Sequence, residues 1–235
     1  MLRDNRARAR AARFVFLALA VVCGLLVLLA AALPPQSSTQ MDAPTAFMYM
    51  GFGLLTIGYL GLLIGSYVAL IMWLRRAYYN LHQLPGVYPE YSDGWAAGAW
   101  FVPFINLARP FTIMREVWND TQRAALGQVV EPATVLGWWW AVFLLKFLIG
   151  RITWVMTRHS GSDFSSQDLS TTAFDAGAQA LAALFTWYVI GRMARFEEQL
   201  SVRQQIDQLG QPAPAHEVPA ALAAEQPNYG QPEGY

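Results

Sequence analysis

The sequence predicts an all-α integral membrane protein: four transmembrane helices plus a re-entrant or interfacial segment at about 95–111, with both termini cytoplasmic. Three observations predict it. Apolar runs reach bilayer length, tryptophans gather near their ends, and the arginines fall almost entirely on one side of them. Of 235 residues, 55% are hydrophobic and 14% charged, against roughly a quarter charged in soluble domains. Tryptophan at segment ends is the usual pattern of rings anchored at headgroup level.

The chain opens with a basic leader, residues 1–13, holding five arginines and one aspartate. Nothing downstream continues this basic surface, so no nucleic-acid partner is expected; the leader faces anionic cytoplasmic lipid instead. Phe14–Leu33, "FVFLALAVVCGLLVLLAAAL", has 20 residues without a charge, enough to cross about 30 Å of hydrocarbon. It exceeds the roughly 7–15 residues of a signal-peptide core and reads as an uncleaved first span (14–33), ended by Pro34 and Pro35. The second span (47–74) is Phe47–Leu74, closed by Arg75 and Arg76. Gly51, Gly58, Gly61 and Gly65 share one stripe of it, a bare face on which another helix can pack closely.

Beyond Leu74 the helical pattern continues to a break at Pro85-Gly86 and Pro89. Then comes "GWAAGAWFVPFINLARPF", Gly94–Phe111, followed by a short amphipathic helix at 112–123 with Ile113, Val117 and Trp118 on its apolar side. Leu136–Met156 is the third span (136–156) and carries Lys146 and Arg151. A serine-rich loop follows at Ser160–Thr172. Ala173–Met193 is the fourth span (173–193), and a second amphipathic helix (193–209) sets Phe196, Leu200, Ile206 and Leu209 on one side. These elements form one helical membrane domain, 14–209. The remainder, 210–235, is rich in proline and glutamine and is expected to be a disordered tail.

Charge decides the topology. If Trp95–Phe111 crossed the membrane, the arginines outside the spans would divide eight to six between the two sides. If it stays on the leader's side, Arg158 stands alone outside. The leader, Arg75, Arg76, Arg109, Arg115, Arg123, Arg192, Arg195 and Arg203 then lie together inside, as the positive-inside bias requires. Length agrees, because the uncharged run Trp95–Ile105 is eleven residues and Pro103 removes a hydrogen bond from its middle.

Chemistry is less legible. Cys23 is the only cysteine, which excludes an intrachain disulfide. His82, His159 and His216 have no metal-ligand spacing, and no catalytic motif or cofactor fingerprint stands out. The candidate polar residues are Lys146 at mid-membrane, where charge is costly, Arg151, and Asp175, which is placed to pair with Arg151 across the hairpin. Asn80, Asn106 and Arg109 are the others: Asn106 is placed to bond the backbone opened at Pro103, and Arg109 to reach lipid phosphate with its planar fork.

The motifs "WLRRAYYN" (Trp73–Asn80), "YSDGWAAGAWFVPFINLARPF" (Tyr91–Phe111), "MREVW" (Met114–Trp118) and "GWWWAVFLL" (Gly137–Leu145) resemble, in this order, the bacterial membrane family known as domain of unknown function 4328. The resemblance covers roughly Phe47–Arg195. It implies a multi-pass protein of the bacterial inner membrane and supplies no activity, cofactor or catalytic residue. The sequence thus points to a non-enzymatic scaffold or partner-binding protein, in contact with membrane lipids and with a second copy or another membrane protein. A small transporter or channel with a polar cavity near Lys146, and an enzyme modifying lipid headgroups beside Asn106 and Arg109, are the alternatives.

Overall fold

The computed structural model describes residues 2–33, 42–159 and 169–209. The proline-rich tail with His216, most of the serine-rich loop, the segment after Leu33 and the side chains of Arg158 and His159 lie outside the described residues. Six helices and one 3-10 turn, with no strand among the described residues, make up the fold. They are α1 (Arg6–Ala32), α2 (Ala43–Leu81), α3 (Trp95–Gly98), the turn Ile105–Leu107, α4 (Arg109–Leu126), α5 (Thr134–His159) and α6 (Leu169–Leu209). Helices α1, α2, α5 and α6 are each long and apolar enough to cross a membrane.

At 39 and 41 residues, α2 and α6 are each about 60 Å long at about 1.5 Å per residue, twice a hydrocarbon core. No glycine or proline lies between Ser66 and Leu84 or between Arg192 and Leu209, so nothing ends either helix where its apolar run stops. The fourth span and its amphipathic continuation are therefore one rod. Its apolar side buries Phe196 and Leu200 but leaves Ile206 and Leu209 exposed, because the rod outruns the helices it packs on.

α1 and α6 pack most extensively, with α2 on α1 and α5 on α6. Ala9, Ala12, Phe16, Leu19, Cys23 and Leu26 of α1 recur every three or four residues and are all buried. Their neighbours in the core include Leu70, Trp73 and Leu74 of α2 and Ala183, Ile190 and Met193 of α6. Within lipid such packing gains dispersion contact, because tails are as apolar as the side chains.

Beyond the apolar runs, water makes burial more rewarding. Helix α4 starts three residues before the expected 112–123 and ends three after it. It buries Ile113, Met114, Val117 and Trp118, each of which contributes about 1.5–3 kcal/mol. Gly127, at φ 78, closes the helix in the left-handed region that favours glycine, with its N–H on the Arg123 carbonyl at 2.9 Å. Arg203 of α6 donates to the carbonyls of Ala124 and Ala125 at 3.2 Å each, so α6 caps α4.

The Gly94–Phe111 stretch is not a membrane-length helix. Four residues of α3 give way to turns, and Phe104 adopts φ 64, a region that costs a non-glycine residue about 1 kcal/mol or more. The Asn106 N–H bonds the Val102 carbonyl at 3.0 Å and the Ile105 N–H bonds that of Pro103 at 2.8 Å. The tip projects Phe101 and Phe104, 75% and 86% exposed.

Candidate functional site

The loop from His82 to Ala108 is strapped to the ends of α2, α4 and α5 by groups from all three. The Tyr78 hydroxyl donates to Glu116 Oε2 at 2.7 Å and accepts the Tyr91 N–H at 3.1 Å. His82, one turn on, sets its ring nitrogens 2.8 and 2.9 Å from the carbonyls of Tyr78 and Tyr91. Burial pushes the Glu116 carboxyl above its ordinary value, against the hydrogen bond from Tyr78. Burial, with the bond to Glu116, raises the Tyr78 hydroxyl as well. Tyr78→Phe leaves a half-buried carboxylate and a backbone N–H without their partner, and is expected to cost about 2 kcal/mol. A lower thermal midpoint with faster proteolysis between residues 82 and 94 checks this.

Arg109 sits over two rings, 4.5 Å from the Tyr91 centroid and 4.0 Å from Trp95, so the strap's own aromatics hold the guanidinium expected to reach lipid phosphate. Stacking suits its weakly hydrated planar fork. The Trp140 indole of α5 donates to the Leu107 carbonyl at 3.1 Å and stacks on Phe111 and Phe143. Asn106 engages the broken backbone through its main-chain N–H, and among the described residues its amide makes no hydrogen bond.

A second knot joins α4 to α5. Gln122, fully buried, accepts the N–H groups of Val130 and Glu131 at 3.1 and 2.8 Å and donates to the Glu131 carbonyl at 3.1 Å. Trp118 donates to that carbonyl at 2.8 Å, and the Glu131 side chain takes Arg192 of α6 in an ion pair. Sequence reading missed Gln122; its signal was a polar residue on the apolar stripe of an amphipathic helix, four positions after Trp118.

Within the apolar part, all four long helices meet beside Lys146. A space of about 20 Å³ there is lined by Ser66, Lys146, Gln179 and Thr186 among others, room for about one water. Gln179 Oε1 is buried with no hydrogen bond. Thr186 accepts the Trp139 indole N–H at 2.9 Å and donates to the Ala182 carbonyl at 2.8 Å. Asp175 Oδ1 lies 3.9 Å from where a Cβ on Gly150 would stand, and Arg151 lies on the exposed side of α5. The glycine stripe of α2 is open: a Cβ at Gly51, Gly58 or Gly61 would meet nothing within 4 Å, and one at Gly65 would reach Val15 of α1 at 4.0 Å.

The profile of the domain of unknown function DUF4328 matches residues 37–195. The chain belongs to the DUF4328 family. Neither the curated proteins nor the solved structures contain a match to it. Each motif of the DUF4328 region supplies a part of the strap: "WLRRAYYN" gives Tyr78, "MREVW" gives Glu116, the long motif gives Tyr91, Trp95 and Arg109, and "GWWWAVFLL" gives Trp140.

The DUF4328 match excludes the leader, yet the leader is clasped to it. The Arg3 N–H donates to Asn80 Oδ1 at 2.9 Å while Asn80 Nδ2 donates to the Arg3 carbonyl at 2.8 Å. Asn80 thus acts as a clasp, beside a cleft of about 340 Å³ between the leader, α2 and α6. Asn5 donates to both carboxylate oxygens of Glu197 at 3.0 and 3.2 Å. Burial outweighs this bond and, with the nearby Asp4 charge adding to it, pushes the Glu197 carboxyl up to about 7. Among the described residues no three metal-ligating side chains of His, Cys, Asp or Glu converge.

Proposed function

We propose that this DUF4328 protein is a non-enzymatic membrane scaffold of the bacterial inner membrane. Its strap and leader lie on the cytoplasmic side, and it associates laterally with a second copy or another membrane protein through α2. One observation carries the reading: only 11% of the most apolar stretch of α2 is buried within the chain, against 17% for α5, 33% for α1 and 39% for α6, and the open part of α2 includes three glycines with nothing against them. The signature side chains favour it too, since Tyr78, Glu116, Tyr91 and Arg109 are engaged with one another or with neighbouring rings.

Transport past Lys146 is the second reading. A space for about one water supports a packing role for the lysine over a pathway. Headgroup chemistry at Asn106 and Arg109 is the third, and the stacking of Arg109 on Tyr91 and Trp95 weighs towards a structural use.

In a Cys23→Ala background, single cysteines at Gly58, Gly61 and, on the opposite side of the helix, Leu60 are oxidised in native membranes. The scaffold reading expects Gly58→Cys and Gly61→Cys to give a defined adduct, at twice 26.2 kDa for a dimer, and Leu60→Cys to give much less. Monomer alone at all three positions, or equal crosslinking at all three, removes it.

A further inference from the structure

We infer that α1 and α6 form a binding groove for the phosphate-bearing headgroup of an anionic phospholipid. Arg6, Arg10 and Arg13 recur at helical spacing on one side of α1. Gly191, Ala194, Arg195 and Glu198 do so on α6. These residues line one cavity of about 380 Å³. Its floor is small, from Ala9, Gly191 and Ala194, and its walls carry four arginines against the two carboxylates Glu197 and Glu198.

The charges inside it are unequal. Arg6 is engaged at the far end by Ser201 Oγ at 3.0 Å and Glu198 at 3.7 Å, and Glu197 is engaged by Asn5. Among the described residues Arg10, Arg13 and Arg195 make no salt bridge. Arg13 is the most built of the three. Its guanidinium lies 4.8 Å from the centroid of the Trp187 ring, and its Nε is buried with no hydrogen-bond partner. A Cβ on Gly191 would stand 3.1 Å from that Nε and 3.2 Å from Cζ, so the absence of a side chain there makes room for the arginine. A buried guanidinium N–H without an acceptor favours an anion, and a phosphate oxygen fits the arginine fork.

What continues the groove selects a lipid over a soluble phosphate. Arg13 is the last residue before the apolar run. Following the Arg10 side of α1 by helical steps leads to Phe14, Leu17 and Val21, and following Arg195 back along α6 leads to Tyr188, Leu184 and Leu181. All six are exposed, Phe14 by 73%. A cationic head site above a furrow of exposed apolar side chains matches a phosphodiester with its acyl chains.

The test titrates the purified full chain in a zwitterionic detergent with dioleoylphosphatidylglycerol and counts bound lipid by native mass spectrometry. Dioleoylphosphatidylcholine and inorganic phosphate serve as competitors. The groove predicts a retained phosphatidylglycerol whose affinity falls about tenfold or more in Arg10→Gln/Arg13→Gln, the loss of roughly one charge-assisted contact. Gly191→Leu, which fills the floor without changing charge, and Arg195→Gln, whose side chain is exposed, are expected to weaken it as well. Arg75→Gln/Arg76→Gln removes the same charge elsewhere and is expected to leave binding within about twofold. Equal losses in the groove and control pairs overturn the site, as does undiminished binding in all groove variants. Phosphatidylcholine binding as tightly overturns its selectivity for anionic lipid, and displacement by inorganic phosphate at comparable concentration overturns the lipid assignment.

Discussion

Gln122→Leu is expected to lower stability by about 3 kcal/mol: it takes the acceptor from the partly buried N–H groups of Val130 and Glu131, at the low end of roughly 1–3 kcal/mol each, and the donor from the carbonyls of Trp118 and Glu131. Leucine replaces the volume of glutamine and none of its bonds, so packing does not compensate. Gln122→Glu keeps the acceptors and loses the donor to the Glu131 carbonyl, and is expected to fall in between. Unfolding in mild detergent, followed by tryptophan fluorescence, reads both, since Trp118 shares the knot. A loss for Gln122→Leu below about 0.5 kcal/mol, the range of ordinary surface substitutions, would show that the α4–α5 connection is not held by this side chain.

The second large effect is a dependence on pH carried by Glu197. In the folded chain its carboxyl titrates near 7, against an ordinary value of 4.5, so between these values the folded state holds a proton that the unfolded state has released. Stability from this group is therefore full below pH 4.5, declines as pH rises, and is lost above about 7, amounting to about 2–3 kcal/mol. Glu197→Gln still accepts from Asn5 and has nothing to ionise. The variant is expected to be more stable than the parent at pH 8 and to lack most of this slope. Glu116, shifted in the same direction, contributes to both proteins alike, so the difference between their pH profiles isolates Glu197. Parallel profiles would contradict the assignment.

Much of the architecture was legible because the bilayer imposes simple rules. Apolar length located the long helices, and Pro103 with the arginine distribution marked Trp95–Phe111 as something other than a span. The boundaries were less legible. Arg75 and Arg192 end the apolar runs, but a charge does not stop a helix, and the helical continuations expected beyond them are one rod with each span. The backbone bonds continued past both to Leu81 and Leu209.

The site divides in the same way. Asn80 and Arg109 were identifiable as polar residues in distinctive motifs, but not their partners. The Asn80 clasp depends on the leader returning across a gap of 77 positions, and Arg109 meets rings placed by turns with no periodic signature. Arg13 read as one positive charge among five; the room for its guanidinium depends on Gly191, 178 positions away by the numbering.

The proposed scaffold has its strap on the leader's side of a chain that crosses the membrane four times. Single cysteines at Leu2, Tyr88 and Ser165 in a Cys23→Ala background, probed with a membrane-impermeant maleimide in intact cells and in inverted vesicles, test this most directly. The account predicts that Leu2→Cys and Tyr88→Cys are labelled only in inverted vesicles and Ser165→Cys only in intact cells. Labelling of Tyr88→Cys from the same side as Ser165→Cys would contradict it.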